Sequence, residues 1–323
     1  CPSCKLKFDK HNENLDIYNQ IDKDRQLFDD FEKLVGDDYL ALIYSDGNRL
    51  GEHLIELSKN PNAIDALSKF SKGLNDATEI AFKETVNEVF KDYFEKDKKH
   101  FPFMVIVLGG DDMSVVMPAK YAFEFTKIFS KKFAEWTKDL AENIPNISLS
   151  TGIAIAKHTF PFSNLFEIAE SLQSNAKKLS RWLRKKNNDS GEYSTLDFEI
   201  ITESLSEDIS ERREHLNFKD YFATGRPYLI GDGDYSFKFE DLANIVSELK
   251  EAEGSNSFIH SIYDIIKNPS TMELNLNIKL NRLFKKHPII PILLNYAKSK
   301  HNLEGKPCCP LLDIAEVYDT VGG

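Results

Sequence analysis

Apolar side chains follow two rhythms along this chain. Unbroken runs, YLALIY at 39–44, FMVIVL at 103–108, SVVMP at 114–118 and ISLSTGIAIA at 147–156, read as strands buried in a sheet. Between them the apolar positions recur every three or four residues. Over 62–95 they include Ile64, Leu67, Phe70, Leu74, Val86, Val89 and Phe90, which predicts one long helix or two broken near Gly73. YAFEFTKIFSKKFAEWTKDL at 121–140 predicts an amphipathic helix. Pro161 opens a further one, in which Ile168, Leu172, Ala176 and Leu179 form a single apolar stripe.

In order, these elements run strand, helix, helix, strand, strand, helix, strand, helix, close to the ferredoxin-like split βαβ plan. The expected fold class is α+β: a ferredoxin-like antiparallel sheet covered by helices on one face, followed by a mostly helical domain. The lead, 1–37, holds an amphipathic stretch from Leu27 to Leu34 closed by Gly36. The sheet domain is expected over 38–190, and RKKNNDSGE at 184–192 is a polar linker. Residues 191–225 are expected to hold linker and one extra strand, YSTLDFEII. A helical domain follows over 226–323, with RPYLIGDGDYS as a loop.

Charge narrows the function. The 323 residues carry 52 acidic and 41 basic side chains, a formal net charge of −11, so a general nucleic-acid coat is excluded and any polyanion needs a local basic patch. No apolar run reaches the roughly 20 residues of a membrane helix, and no secretory signal opens the chain. A cytoplasmic protein is expected. Four cysteines form two pairs, Cys1 with Cys4 and Cys308 with Cys309. C-x-x-C is half of a zinc site, which the second pair or an upstream segment would complete, and the alternative is two unrelated pairs of thiols.

The chemistry concentrates at GGDD. Read alone, Gly109-Gly110-Asp111-Asp112 is a tight hairpin turn with solvated carboxylates. The split βαβ plan makes strand 39–45 and the hairpin strand the central pair, which brings Asp46 beside Asp111 and Asp112. Three carboxylates so close repel unless a cation sits among them. With no histidine or cysteine in either motif, the hard oxygen donors suit Mg²⁺ or Mn²⁺. Two such ions roughly 4 Å apart form the clamp of phosphoryl and nucleotidyl transfer. Gly109 and Gly110 permit positive φ and leave room for a nucleotide against bare backbone. The amides of Gly47, Asn48 and Arg49, at a helix start, would face phosphate. Lys177, Arg181 and Arg184 recur on one helix face. Lys177 is the expected phosphate contact with Arg181 beside it, though such a run also suits a solvated helix end complementing the dipole.

At these residues the sequence resembles a known family. LALIYSDGNRLG, VIVLGGDDMSVVMP, ISLSTGIAIAKHTFPFSNLFEIAESLQSNAKKL and GRPYLI together resemble the second palm and trailing helical domain of the large polymerase-cyclase subunit of type III CRISPR effector complexes. The likeness runs from about residue 38 to 190 and more weakly to the end. It is more distantly similar to diguanylate cyclases with their GGDEF turn, but Asp112 and Met113 replace the Glu and Phe.

The resemblance implies that Asp46, Asp111 and Asp112 hold Mg²⁺ and that ATP is joined 3′ to 5′ into cyclic oligoadenylates for antiviral defence. Several members have Asp at the place of Asn48, where an amide removes one charge or serves the ribose or base. His158 follows the family pattern on the fourth strand, where it would reach the nucleotide or pack. The family subunit pairs two palms. This chain shows one, so a second is expected from a preceding region, a homodimer or another subunit. Other effector subunits with guide and target RNA are implied partners. The CPSC pair matches zinc-binding cysteines that accompany the palms. Two further readings stay open: a palm that binds nucleotide and scaffolds an RNA-guided complex without turnover, and a diguanylate-type cyclase using GTP.

Overall fold

The computed structural model describes residues 16–97, 99–141, 144–187, 191–201, 213–214, 216–217, 222–252, 255–266, 278–283, 288–297, 300–301 and 305–321. The chain divides into two compact units, Cys1–Thr202 and Glu203–Gly323.

In the first unit a short helix, α1 (Phe31–Val35), is capped by Asp30, which accepts from the Lys33 amide at 2.8 Å, and is closed by Gly36 at φ 59°. Strand β1 (Tyr39–Gly47) leads into α2 (Leu50–Ser58), the long α3 (Ala63–Val89) and α4 (Lys91–Lys96). Gly73 lies inside α3 without breaking it. The chain then forms the hairpin β2 (Met104–Gly109) and β3 (Asp112–Pro118), then α5 (Ala119–Trp136), β4 (Leu149–Lys157), α6 (Phe162–Asn187) and β5 (Ser194–Ile201).

The strands lie side by side as β2-β3-β1-β4-β5. The first four give the expected order, with β1 and β3 in the middle, and every pairing among them is antiparallel. Strand β5, the expected extra strand, adds to β4 in parallel, Ser150 beside Thr195 through Ala156 beside Ile201.

Helices cover both faces of this sheet, where one covered face was expected. Gly152 meets α6: a Cβ there would lie 2.1 Å from the Ala169 carbonyl and 2.4 Å from the Gln173 amide. Its neighbour Ile153 points the other way, level with Phe198, whose ring packs edge-on against Phe123 of α5 at 5.1 Å. Burial on two sides is seen along β4, where each residue from Leu149 to Ala156 is buried, the polar Ser150 and Thr151 included. On the α5 side, Phe82 of α3 packs against Phe103, Phe125 and Phe129. Each fully buried ring of this kind contributes roughly 1.5–3 kcal/mol.

The second unit contains β6 (Tyr228–Ile230), α7 (Phe239–Glu251), α8 (Ser255–Ile266), α9 (Ile289–Ala297), a two-residue pair β7 (Lys300–His301) with β8 (Pro307–Cys308), and α10 (Leu311–Val321). Tyr228–Ile230, expected in a loop, is a fully buried strand, because its three side chains have a core to enter. The unit closes around Asp313, which is 0% exposed. Its carboxylate accepts from Thr224 Oγ1 (2.7 Å), the Gly225 amide (2.7 Å) and Tyr228 Oη (2.6 Å), and pairs with Arg226 Nε at 3.1 Å. A buried carboxylate is tolerable only when saturated in this way, so GRPYLI supplies the second unit's polar core. Among the described residues no helix is long and apolar enough to cross a membrane.

Candidate active site

The β2–β3 turn is two residues long, Gly110 and Asp111, between the paired Gly109 and Asp112. Only Gly110 has positive φ, at 62°. That fits a hairpin turn whose first central position requires glycine. Gly109 serves proximity instead, since a Cβ there would come within 3.2 Å of Asn75 Oδ1. Helix α3 holds the tip: the Gly110 amide donates to Asn75 Oδ1 at 3.2 Å, and Thr78 Oγ1 donates to the Gly110 carbonyl. Asn75 is oriented in turn by donating to Glu79 Oε1 at 2.9 Å.

The β1–β3 register pairs Ser45 with Met113, so continuing it sets Asp46 level with Asp112 and Gly47 level with Asp111. A Cβ on Gly47 would lie 2.7 Å from Asp111 Cβ and 3.0 Å from its Oδ2. The bare glycine is therefore what lets Asp111 lie against the end of β1. The three expected aspartates share one field. Burial, then Asp112, then Asp46 push the Asp111 carboxyl up to about 6. Tyr44, two residues before Asp46, is pushed up to about 12 by burial and by Asp112, Asp46, Glu170 and Asp111.

Asp46 is already partnered. Its Oδ2 accepts from Lys177 Nζ and from Gln173 Nε2 (3.1 Å), and Lys177 also donates to the Gly47 carbonyl at 3.2 Å. Gln173 and Lys177 lie one turn apart on α6, and the close seating of α6 on Gly152 brings that face over the end of β1. Among the described residues no group of three His, Cys, Asp or Glu side chains is arranged to hold a metal ion. The donors still suit a hard divalent cation: all are carboxylate oxygens, and their mutual repulsion is the strain that a cation relieves. Asp46 and Asp111 would hold it, with Asp112 adding charge, and bound there it would neutralise developing negative charge on a phosphoryl group.

A cavity of about 380 Å³ opens beside these carboxylates, lined by Asp46, Asp111, Arg49, Lys177, Arg181 and Arg184 among others. Cationic side chains and the acidic corner thus line one space, with Glu52 among them.

Residues 39–188 match the family model described as Cas10/Cmr2, second palm domain. Over that segment the chain is similar to Cas10/Cmr2 second palm domains. Among solved structures, a Csm1–Csm4 cassette in complex with cA4 is similar at TM-score 0.52 and 12% identity, over 88% of this chain and 36% of that one. Csm1 in T. onnurineus is similar at TM-score 0.47 and 16% identity, over 90% of this chain and 38% of that one. The chain thus spans little more than a third of the length of these neighbours. No curated protein matches.

Asn48 is held within the fold by both its backbone and its side chain. Its amide N–H donates to the Ser148 carbonyl (2.8 Å), its Nδ2 to Ser148 Oγ (2.9 Å) and the Tyr193 carbonyl (3.3 Å), and its Oδ1 accepts from Ser150 Oγ (2.7 Å). At 3% exposed, Asn48 ties the end of β1 to β4 and to the start of β5, and it also lines the cavity. Arg49 sits in the left-handed region at φ 62°, N-terminal to α2. Its guanidinium bonds Glu52 (2.9 Å) and the buried Glu192 (2.8 Å), while Arg184 bonds both oxygens of Glu52 at 3.0 Å. His158 lies beyond β4 at the end where Tyr39 meets Lys157, whereas Asp46 is level with Ser150 at the other end, so it packs away from the carboxylates.

Glu52, Glu192, Gln173, Asn75 and Thr78 escaped the sequence reading. Gln173 was accessible, being one turn before Lys177 on the same face. Glu192 had no signal, because it lies in what reads as a polar linker. Burial raises the Glu192 carboxyl and lowers His53, so their 4.0 Å approach brings together groups that burial drives toward neutrality. Cys308 and Cys309 are 0% and 1% exposed, and burial pushes the Cys309 thiol up to about 12. Both thiols lie among the core residues of the second unit. Cys1 and Cys4 lie outside the described residues.

Proposed function

We propose that this palm is a Mg²⁺- or Mn²⁺-dependent nucleotidyltransferase that joins ATP 3′ to 5′ into cyclic oligoadenylate-type messengers in CRISPR-type defence. The observation that carries the reading is the strained carboxylate corner, where Asp111 is raised to about 6 by burial, Asp112 and Asp46, set against a cation-lined cavity. An attacking hydroxyl and a triphosphate need those two halves: anionic oxygens to hold a divalent cation, and cations to receive phosphates. In this reading Lys177 and Arg181 receive phosphate oxygens as charged donors, Gly109 and Gly110 give the nucleotide bare backbone to lie on, and Gly47 keeps Asp111 beside Asp46. The second palm comes from a preceding region, a homodimer or another subunit, and guide and target RNA act through partner subunits.

Incubation of the purified protein with ATP and Mg²⁺ or Mn²⁺, alone and with effector subunits and target RNA, tests this. Linked adenylates with pyrophosphate release support it. A second reading, a nucleotide-binding palm without turnover, is favoured by the engagement of Asp46 with Lys177 and Gln173. Nucleotide binding with no pyrophosphate under every condition would select it, and turnover of GTP in place of ATP would select a diguanylate-type cyclase.

A further inference from the structure

Lys177 stands between the two halves of the cavity. Its ammonium bonds Asp46 Oδ2 and the Gly47 carbonyl, two oxygens at the end of β1, one anionic and one neutral. That is the kind of oxygen pair a hard divalent cation takes. Its side chain is 24% exposed and that of Asp46 25%, so the pair is screened from water only in part and can part at modest cost. Gln173 stays on Asp46 Oδ2 through an uncharged amide, which orients the carboxylate without neutralising it. Arg184, two turns further along α6, is likewise held by Glu52, whereas Arg181 lines the cavity between them.

We infer that Lys177 is an exchangeable counter-ion: it neutralises Asp46 when no metal is bound, a divalent cation displaces it, and the displaced ammonium becomes the cation that receives the polyphosphate. The step is an ion exchange in which no covalent bond changes. One ammonium leaves one carboxylate, and the divalent cation takes its place. The inference rests on the nucleotidyltransferase reading of the site and adds a consequence, that metal and polyphosphate binding are coupled through one side chain. Coupling of this kind is reciprocal. A free phosphate-binding lysine would give no such coupling, because it would be equally available with and without metal.

Two binding experiments on the whole chain test the exchange without any turnover. Mn²⁺ affinity, read by electron paramagnetic resonance without nucleotide, is expected to rise roughly five- to tenfold in Lys177→Met, in line with about 1 kcal/mol for a part-exposed ion pair. Arg181→Met removes the same charge from the cavity without touching Asp46 and is expected to change that affinity less than twofold. In chelator, with no metal present, Asp46→Asn is expected to tighten binding of inorganic triphosphate severalfold by releasing Lys177. The gain is expected to vanish in the Asp46→Asn, Lys177→Met double variant. Equal Mn²⁺ affinity in wild type and Lys177→Met, with binding still lost in Asp46→Asn, overturns the exchange and leaves the metal site standing. Equal gains in the two methionine variants reduce the effect to net charge and also overturn it. Absence of Mn²⁺ binding in every protein sinks the metal reading and the exchange with it.

Discussion

Asp111 rests against a position where no side chain can stand: a Cβ on Gly47 would come within 2.7 Å of its Cβ. The first expected outcome concerns that contact. Gly47→Ala should leave the fold intact, because the clash is with one side chain at a two-residue turn. It should push Asp111 away from Asp46 and lower product formation by at least tenfold. Circular dichroism with a turnover assay checks this, and an active Gly47→Ala enzyme would remove Asp111 from the site.

Asp111 also sets a pH dependence. Its folded value of about 6 exceeds the ordinary carboxylate value, so the folded state favours the protonated form. The associated stabilisation is complete below about pH 4 and is lost as pH rises through 6. Asp111→Asn should therefore unfold at higher denaturant than wild type above pH 6, by about 1 kcal/mol after allowance for partial exposure, and the two should converge near pH 4. Urea unfolding in chelator at pH 4, 6 and 8 measures it, and a constant difference across that range would contradict the assignment.

Gly152→Ala should be among the most damaging single substitutions in the first unit. The added methyl would meet the Ala169 carbonyl at 2.1 Å and the Gln173 amide at 2.4 Å, both helix backbone that cannot swing aside. A loss of about 3 kcal/mol is expected, seen as a lower midpoint in thermal unfolding. Any folded fraction should bind Mn²⁺ differently, since α6 carries Gln173 and Lys177 to Asp46. An unchanged midpoint would mean that α6 is not seated as described.

These outcomes separate what the sequence disclosed from what it hid. Unbroken apolar runs and helical stripes were enough for the order of strands and helices, and that order alone set Asp46 level with GGDD. Two-sided burial was misread at β4, because a strand covered on both faces and one covered on a single face differ only in alternation, which glycine and alanine blur. Partnerships were hidden for a different reason. Nothing at position 48 distinguishes an amide that meets a ligand from one that ties Ser148, Ser150 and Tyr193 together. Those partners are 100 or more residues away along the chain.

Asn48→Asp follows from that knot. A carboxylate loses both Nδ2 donations and places an anion toward the Tyr193 carbonyl in a site 3% exposed. A destabilisation of about 2 kcal/mol is expected in chelator. A variant as stable as wild type would contradict that knot.

The central claim is that Asp46, Asp111 and Asp112 form a metal-dependent nucleotidyl-transfer site. Its most direct measurement is pyrophosphate release and linked adenylate from ATP with Mg²⁺ or Mn²⁺, comparing wild type with the Asp111→Ala, Asp112→Ala double variant in the presence of effector subunits and target RNA. Product from wild type and none from a folded double variant is the predicted result. Equal product from both, or nucleotide bound by wild type with no pyrophosphate released, would contradict it.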